Sequence, residues 1–240
     1  KLPMKIFPAV HYSMGGLWVD YDQMTEIPGL FAAGECDFSQ HGANRLGANS
    51  LLSAIYGGMV AGPNAVKYIK GLQKHAEDLP EEIFSRREKE EQEKWEAILK
   101  MDGTENAYLL HKELGEWMTD NMTVVRVNSK LEETYAKLTE LQERWEKINI
   151  NDTQKWSNQG AHFTRQLKNM LYLAKVMTKG ALMRDESRGA HYKPDFPERD
   201  DERFLKTTMA KFDPATGEPI ITYAEVDVSL IPPRKRDYSA

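Results

Sequence analysis

Cysteine is nearly absent: Cys36 stands alone among 240 residues. That excludes an internal disulfide and any site built from several thiolates. It also fits a reducing compartment. Long apolar runs are missing too. None approaches the ~20 residues a helix needs to cross a bilayer, so no direct membrane span is expected, and no signal peptide is visible. The Gly-rich turn that cradles a dinucleotide is not found either. Gly15-Gly16 and Gly57-Gly58 are simple pairs, not a G-x-G-x-x-G after a strand. A basic stripe is lacking as well. With 32 basic and 37 acidic side chains and a net charge of −5, the composition argues against nucleic acid as a partner. No metal-ligand constellation and no internal repeat are found.

What is present suffices for a real core. Hydrophobic residues make up 40% of the chain, and its length accommodates one large or two small domains. Three segments are expected. Residues 1–76 carry the features of the end of an α/β domain: strand character over 11–19 with a Gly-Gly break, a turn over 20–25, a buried strand over 30–33, and a buried helix from about Leu46 to Lys70. Leu51, Leu52, Ile55, Tyr56, Met59 and Val60 give that helix its i, i+3, i+4 pattern. Pro63 is expected to kink or interrupt it. Its glycines suggest close packing.

Residues 79–184 carry helical periodicity. Pro80 followed by Glu81 and Glu82 suits a first turn, with Trp95, Ile98 and Leu99 on the apolar face. A second helix is expected from about Thr104 to Met118. Ser129-Lys-Leu-Glu132 has the form of a capping box before the stripe Leu131, Tyr135, Leu138, Leu141, Trp145 and Ile148. Leu167, Met170, Leu171, Ala174, Met177 and Ala181 mark a last long helix. Such stripes need partners, so a three- or four-helix bundle follows. In residues 185–240 prolines punctuate the chain. Residues 204–212 and 219–228 are expected to pair around Asp213-Pro-Ala-Thr-Gly217. The fold class is therefore α+β or α/β: the end of an α/β domain, a helical bundle, and an extended segment with a β-hairpin.

Chemistry concentrates in two short stretches. Gly29-Leu-Phe-Ala-Ala-Gly-Glu35 has the form of a strand ending at a glycine and a carboxylate. His41-Gly-Ala-Asn-Arg-Leu-Gly-Ala-Asn-Ser50 then crowds a histidine, an arginine and two asparagines ahead of a helix. Ligands of open α/β sheets bind at strand carboxyl ends, often against a helix N-terminus. A glutamate there can accept from ribose hydroxyls, and an arginine can grip a carboxylate bidentately. Residue types alone leave plainer roles open: a structural histidine at His11, a loop-capping ion pair at Arg45, a helix-capping carboxylate at Glu35, loop packing at His41.

Together with Pro8-Ala-Val-His-Tyr-Ser-Met-Gly-Gly16 upstream, these stretches closely resemble the flavoprotein subunit of succinate dehydrogenase and fumarate reductase. Arg184-Asp-Glu-Ser-Arg-Gly-Ala-His-Tyr192 with Asp195-Phe-Pro-Glu-Arg-Asp-Asp201 is similar to that family's C-terminal signature. The resemblance runs through the chain but matches only the C-terminal portion of such a subunit, so the chain is expected to be a fragment and inactive alone. The resemblance implies FAD as cofactor of the full-length protein, not retained by the fragment. It implies a C4 dicarboxylate substrate held by His11 and Arg45, and a flavin ribose held by Glu35. It also places the backbone of Ala48, Asn49, Ser50 and Leu51 at the flavin's pyrimidine edge. A helix N-terminus there, worth ~0.3–1 kcal/mol when exposed, favours the reduced, more negative flavin. The arginine that moves the proton belongs to a capping domain outside this sequence.

Further implications are an iron–sulfur subunit, a membrane anchor and quinone as downstream partners, and a peripheral position on the cytoplasmic face of the inner or plasma membrane. Arg188 and His191 are expected to serve a structural ion-pair network with Asp200 or Asp201. The basic end, Pro232-Pro-Arg-Lys-Arg236, is expected to be a docking strap or a disordered end. Two other readings stand beside this one. One is an L-aspartate oxidase-like flavoenzyme, against which the extension beyond His191 speaks. The other is a helical interaction module, which leaves the His-Gly-Ala-Asn-Arg cluster unexplained.

Overall fold

The computed structural model describes residues 3–4, 11–38 and 41–234. Part of the first motif, residues 8–10, lies outside them, as do residues 235–240 of the basic end. The chain divides into two compact units, Lys1–Glu93 and Lys94–Ala240.

In the first unit, residues 11–38 form no continuous strand. They meet in isolated bridges, Leu17 parallel to Asp37 and Met24 antiparallel to Phe31. The expected strands over 11–19 and 30–33 are thus corrected to short extended pieces. A strand persists only where a neighbour supplies a continuous ladder, and here each piece finds one or two partners. Ala32 is buried while Leu30 is exposed. The turn over 20–25 is as expected. Asp20 accepts from the amides of Asp22 and Met24, and Gln23 takes a positive φ of 65°.

Helix α1, Asn49–Gly71, follows. It starts three residues later than expected because Ala48 sits in the left-handed region at φ 65°. Pro63 lies inside it without interrupting it. Proline's missing N–H costs one backbone bond, and the side chain of the next residue, Asn64, donates to the Val60 carbonyl at 3.1 Å. The expectation of a buried helix is also corrected. Leu51, Leu52, Ile55, Tyr56 and Met59 are exposed, and only Gly57 is buried. A Cβ on Gly57 would stand 3.3 Å from the Ala33 Cβ, so that glycine permits close approach of the helix and the 30–33 segment. Gly58 and Gly62 face open space.

Helix α2, Glu81–Leu99, carries Glu81 and Glu82 in its first turn and buries Ile98 and Leu99 at its end. The second unit is organised by α3 (Ala107–Met122), α4 (Asn128–Trp145) and α5 (Gln159–Leu182), which pack on one another. Helix α3 starts where Asn106 accepts from the amides of Tyr108 and Leu109, an N-cap the sequence reading passed over. Helix α4 does not use the expected capping box. Its N-cap is Val127, with no side-chain cap. Its start is instead fixed by Asn128 donating to Asp185 at 3.0 Å.

The core holds the expected stripes. Leu131, Leu138, Leu141, Trp145 and Ile148 are buried, as are Leu167, Leu171, Ala174 and Ala181. Three members differ. Met177 is exposed, Met170 is half-buried, and Tyr135 is half-buried because its hydroxyl donates to Glu218. The buried indole of Trp145 is satisfied by the Thr164 carbonyl at 2.8 Å.

A short helix α6 (Asp201–Phe204) leads into the antiparallel hairpin of β1 (Lys206–Phe212) and β2 (Pro219–Glu225), with Lys206 opposite Glu225 and Phe212 opposite Pro219. The expected turn closes it. Asp213 accepts from Ala215 N and Thr216 Oγ1, and Gly217 takes φ 71°. Cations of α5 and its C-terminal end clamp the hairpin. Buried Lys175 reaches Glu218 at 2.6 Å, Lys179 reaches the Pro219 carbonyl at 2.7 Å, and Arg184 reaches the carbonyls of Phe204 and Lys206.

The 184–201 signature is a buried charge network, as expected for Arg188, which contacts Asp201 at 2.7 Å. Fully buried Glu186 accepts from Arg184, from Arg188 and from the amide of Asp200. His191 has a separate place in it. Its Nδ1 accepts from Arg126 at 2.6 Å, and its Nε2–H donates to the Arg184 carbonyl at 2.9 Å. Both bonds require a neutral ring of the Nε2–H tautomer. Burial, reinforced by the charges of Arg126, Lys193 and Arg184, pushes the imidazole down to about 4 against the pull of the carbonyl.

Two outcomes follow. Leu138→Ala removes a side chain with no solvent exposure and is expected to destabilise the second unit by roughly 2–5 kcal/mol in denaturant unfolding. A value below about 0.5 kcal/mol would place that face outside the core. The His191 pKa is lower folded than unfolded, so the unfolded chain takes up the proton first. Stability from this group is full above pH 6.5 and falls as the pH drops toward about 4, by up to ~3 kcal/mol. His191→Gln should flatten unfolding free energy against pH within that window. An unchanged slope would remove His191 as its source.

Candidate functional site

The first unit brings the two N-terminal motifs together. Leu17 N donates to Cys36 O at 2.9 Å and Phe38 N donates to Leu17 O at 2.7 Å, which aligns 16–18 with 36–38. Gly16 makes this possible, since a Cβ there would lie 2.4 Å from the carbonyl oxygens of both Cys36 and Asp37. Gly34 turns the chain at φ 87°, and the next residue is Glu35. Its Oε1 accepts from the Ser13 amide at 2.9 Å, so this carboxylate is tied to the segment that follows His11. His11 and Glu35 are both exposed.

Arg45 is half-buried. Its Nη1 donates to the Leu46 carbonyl at 3.1 Å, and its guanidinium carbon lies 5.1 Å from the centroid of the Tyr12 ring. The same ring meets His41 edge-on at 5.3 Å. His41 Nε2 is 3.1 Å from Ser53 Oγ, and Ser53 Oγ donates to the Ser50 carbonyl at 3.0 Å. With that hydroxyl proton committed, the imidazole Nε2–H is the donor of the pair. Residues 11–13, 35, 41, 45 and the first turn of α1 thus form one neighbourhood. Sequence reasoning named His11, Glu35, His41 and Arg45 but passed over Tyr12 and Ser53. The signal that could have found Tyr12 was its place beside His11, an aromatic face available to a cation.

The start of α1 suits an electron-rich group. Its first turn holds no acidic residue, and the N-cap Ala48 supplies no side-chain hydrogen bond. Asn49 N is occupied by the Leu46 carbonyl at 3.3 Å. The amides of Ser50 and Leu51 therefore belong to the uncapped positive end of a 23-residue helix. Among the described residues, no group of three or more His, Cys, Asp or Glu is arranged to hold a metal ion, and no helix is long and apolar enough to cross a membrane.

Residues 111–238 match the family described as fumarate reductase flavoprotein C-term, and residues 2–51 match the FAD binding domain family. The chain belongs to the succinate dehydrogenase and fumarate reductase flavoprotein family. The succinate dehydrogenase flavoprotein subunit of Bacillus subtilis strain 168 is 72% identical over 239 residues, covering 100% of this chain and 41% of that protein. The fumarate reductase flavoprotein subunit of Escherichia coli K12 is 36% identical, covering 99% and 39%. A solved E. coli quinol fumarate reductase FrdA chain superposes with a TM-score of 0.85 at 34% identity, covering 94% of this chain and 38% of that one. The chain therefore spans about two-fifths of the length of these relatives.

The geometry makes Gly16 a test of the assembled neighbourhood. Gly16→Ala must force 16–17 away from 36–37, an overpacking that typically costs about 1–3 kcal/mol. The expected result is a lower melting temperature of the first unit, with the second unit's transition unmoved. An unshifted transition would mean the two segments do not pack at this distance.

Proposed function

We propose that this chain forms the C-terminal part of an FAD-dependent oxidoreductase that interconverts succinate and fumarate, and that it contributes half of the dicarboxylate clamp and part of the flavin site. The observation that carries this reading is the convergence of Tyr12 and Ser13 with Arg45 and Glu35 beside the uncapped start of α1. Arg45 and His11 hold a substrate carboxylate. The planar guanidinium suits a bidentate grip, and the imidazole donates a hydrogen bond. Glu35, presented just after the Gly34 turn, accepts from the ribose hydroxyls of FAD. The backbone at Ala48, Asn49, Ser50 and Leu51 lies at the pyrimidine edge of the flavin, where the absence of an acid in the first turn favours negative charge.

FAD, when bound, supplies the two-electron carrier. The residues of this chain bind and orient, and the arginine that moves the proton lies outside it. The exposed apolar side chains of α1, Leu51, Leu52, Ile55 and Met59, are those that other elements of a flavin domain would cover. Electrons pass on to an iron–sulfur subunit and, through a membrane anchor, to quinone. The complex sits on the cytoplasmic face of the inner or plasma membrane with this chain as a peripheral part.

The separate roles of Arg45 and Glu35 give the test. In the complete flavoprotein, Arg45→Ala should raise the KM for succinate or fumarate by at least ~30-fold, since losing a charge-assisted clamp costs roughly 2–5 kcal/mol. Flavin content should stay near normal, and lysine should rescue poorly. Glu35→Ala should lower flavin content and alter substrate affinity only secondarily. Normal kinetics in Arg45→Ala, or full flavin with selective loss of substrate binding in Glu35→Ala, would overturn these assignments.

A further inference from the structure

A cation that must grip a substrate carboxylate faces a conflict. It needs a partner to hold it in place, yet a carboxylate partner would neutralise it and compete with the substrate. Among the described residues, most other arginines are held by carboxylates, as Arg144 is by Glu105, Glu113 and Glu140 and Arg188 by Glu186 and Asp201. Arg45 is held differently. Among the described residues it meets no carboxylate. It has one carbonyl, that of Leu46, and the face of the Tyr12 ring.

We propose that Tyr12 is a positioning residue for Arg45: its ring carries the guanidinium on one side and is braced edge-on by His41, which is itself anchored to the first turn of α1 through Ser53. This rests on the reading of Arg45 as the dicarboxylate clamp and deepens it. The quadrupole of an aromatic ring attracts a cation without cancelling its charge or occupying its N–H groups. The guanidinium is therefore oriented while its N–H groups other than the one given to the Leu46 carbonyl stay open to an incoming carboxylate. The His41 edge, packed at 77° to the Tyr12 ring plane, limits tilting of the ring. Because Ser53 Oγ donates to Ser50 and pairs with His41, the brace is tied to the helix whose start is assigned to the flavin. Substrate clamp and flavin edge then share one support.

The brace uses the ring of Tyr12 and not its hydroxyl. That hydroxyl is buried with no hydrogen-bond partner among the described residues. Removing it should therefore cost nothing and could relieve a desolvated polar group. This separates the proposal from a role for Tyr12 in hydrogen bonding to substrate.

The experiment uses the complete flavoprotein, with malonate as a non-reacting dicarboxylate probe read by flavin absorbance and with fumarate or succinate kinetics. Tyr12→Phe should bind malonate as the parent does. Tyr12→Leu, which keeps an apolar filler but has no π face, should weaken malonate and raise KM by about 3- to 30-fold, with flavin content and melting temperature close to those of Tyr12→Phe. In an Arg45→Ala background, Tyr12→Leu should add little, because the ring then has no cation to position. Three results would overturn the proposal. One is parental malonate affinity in Tyr12→Leu. Another is loss of affinity in Tyr12→Phe equal to that in Tyr12→Leu. The third is a Tyr12→Leu effect as large without Arg45 as with it. Should Arg45→Ala alone leave malonate binding intact, the clamp reading itself fails, which is distinct from failure of the brace.

Discussion

The second unit depends on one buried carboxylate. Glu186 has no solvent exposure and carries negative charge among three donors: Arg184, Arg188 and the amide of Asp200. Burial alone would push its carboxyl up, but these hydrogen bonds outweigh it and hold the group below its usual range. Removing one partner from such a buried pair leaves an uncompensated charge, which typically costs 3–5 kcal/mol. Arg184 also holds the hairpin through Phe204, Lys206 and Thr208. The end of α5, the 185–200 segment, α6 and the hairpin are thus fastened by charges that share one centre.

The neighbouring groups divide the work by sign and burial. Lys193 is fully buried and donates to the Leu182 carbonyl at the end of α5 and to Asp185, a cation placed where the helix dipole favours it. Asp185 also receives Asn128 at the start of α4, so one carboxylate joins two helices. His191 remains neutral between Arg126 and the Arg184 carbonyl, filling a gap among positive groups that a charged ring would disrupt. The first unit solves a different problem. There Arg45 lies against an aromatic face and, among the described residues, meets no acid.

Much of the fold was legible because apolar periodicity reports directly on what must be hidden. The stripe from Leu131 to Ile148 and that from Leu167 to Ala181 were found buried, apart from Tyr135, Met170 and Met177, and the Asp213–Gly217 turn closed the hairpin as its residue types demand. Local rules failed where a distant group competed with them. Ser129 was overruled as a cap because Asn128 is held by Asp185 across the unit. Residues 11–19 and 30–33 had strand composition but find only isolated bridges, since strand composition cannot supply its own ladder. Helix α1 had the periodicity of a buried element, yet its apolar face is exposed, because periodicity says which residues seek cover and not whether cover is present.

By itself the sequence determined the family, the order of elements and the residue types at the candidate site. His11, Glu35 and Arg45 stand in motifs that resemble those of the family, whereas their residue types alone left plainer roles open. Only the tertiary structure decided how those groups are supported. That Gly16 must lack a side chain follows from the 2.4 Å approach to the carbonyls of Cys36 and Asp37, segments some twenty residues apart. That Tyr12 lies under Arg45, and His41 against Tyr12, is likewise a matter of chain crossing. The physical reason is the range of the interactions. Hydrogen bonding to the next turn and hydrophobic patterning act along the chain, whereas cation–π contacts, buried ion pairs and steric approach act between segments that only folding brings together.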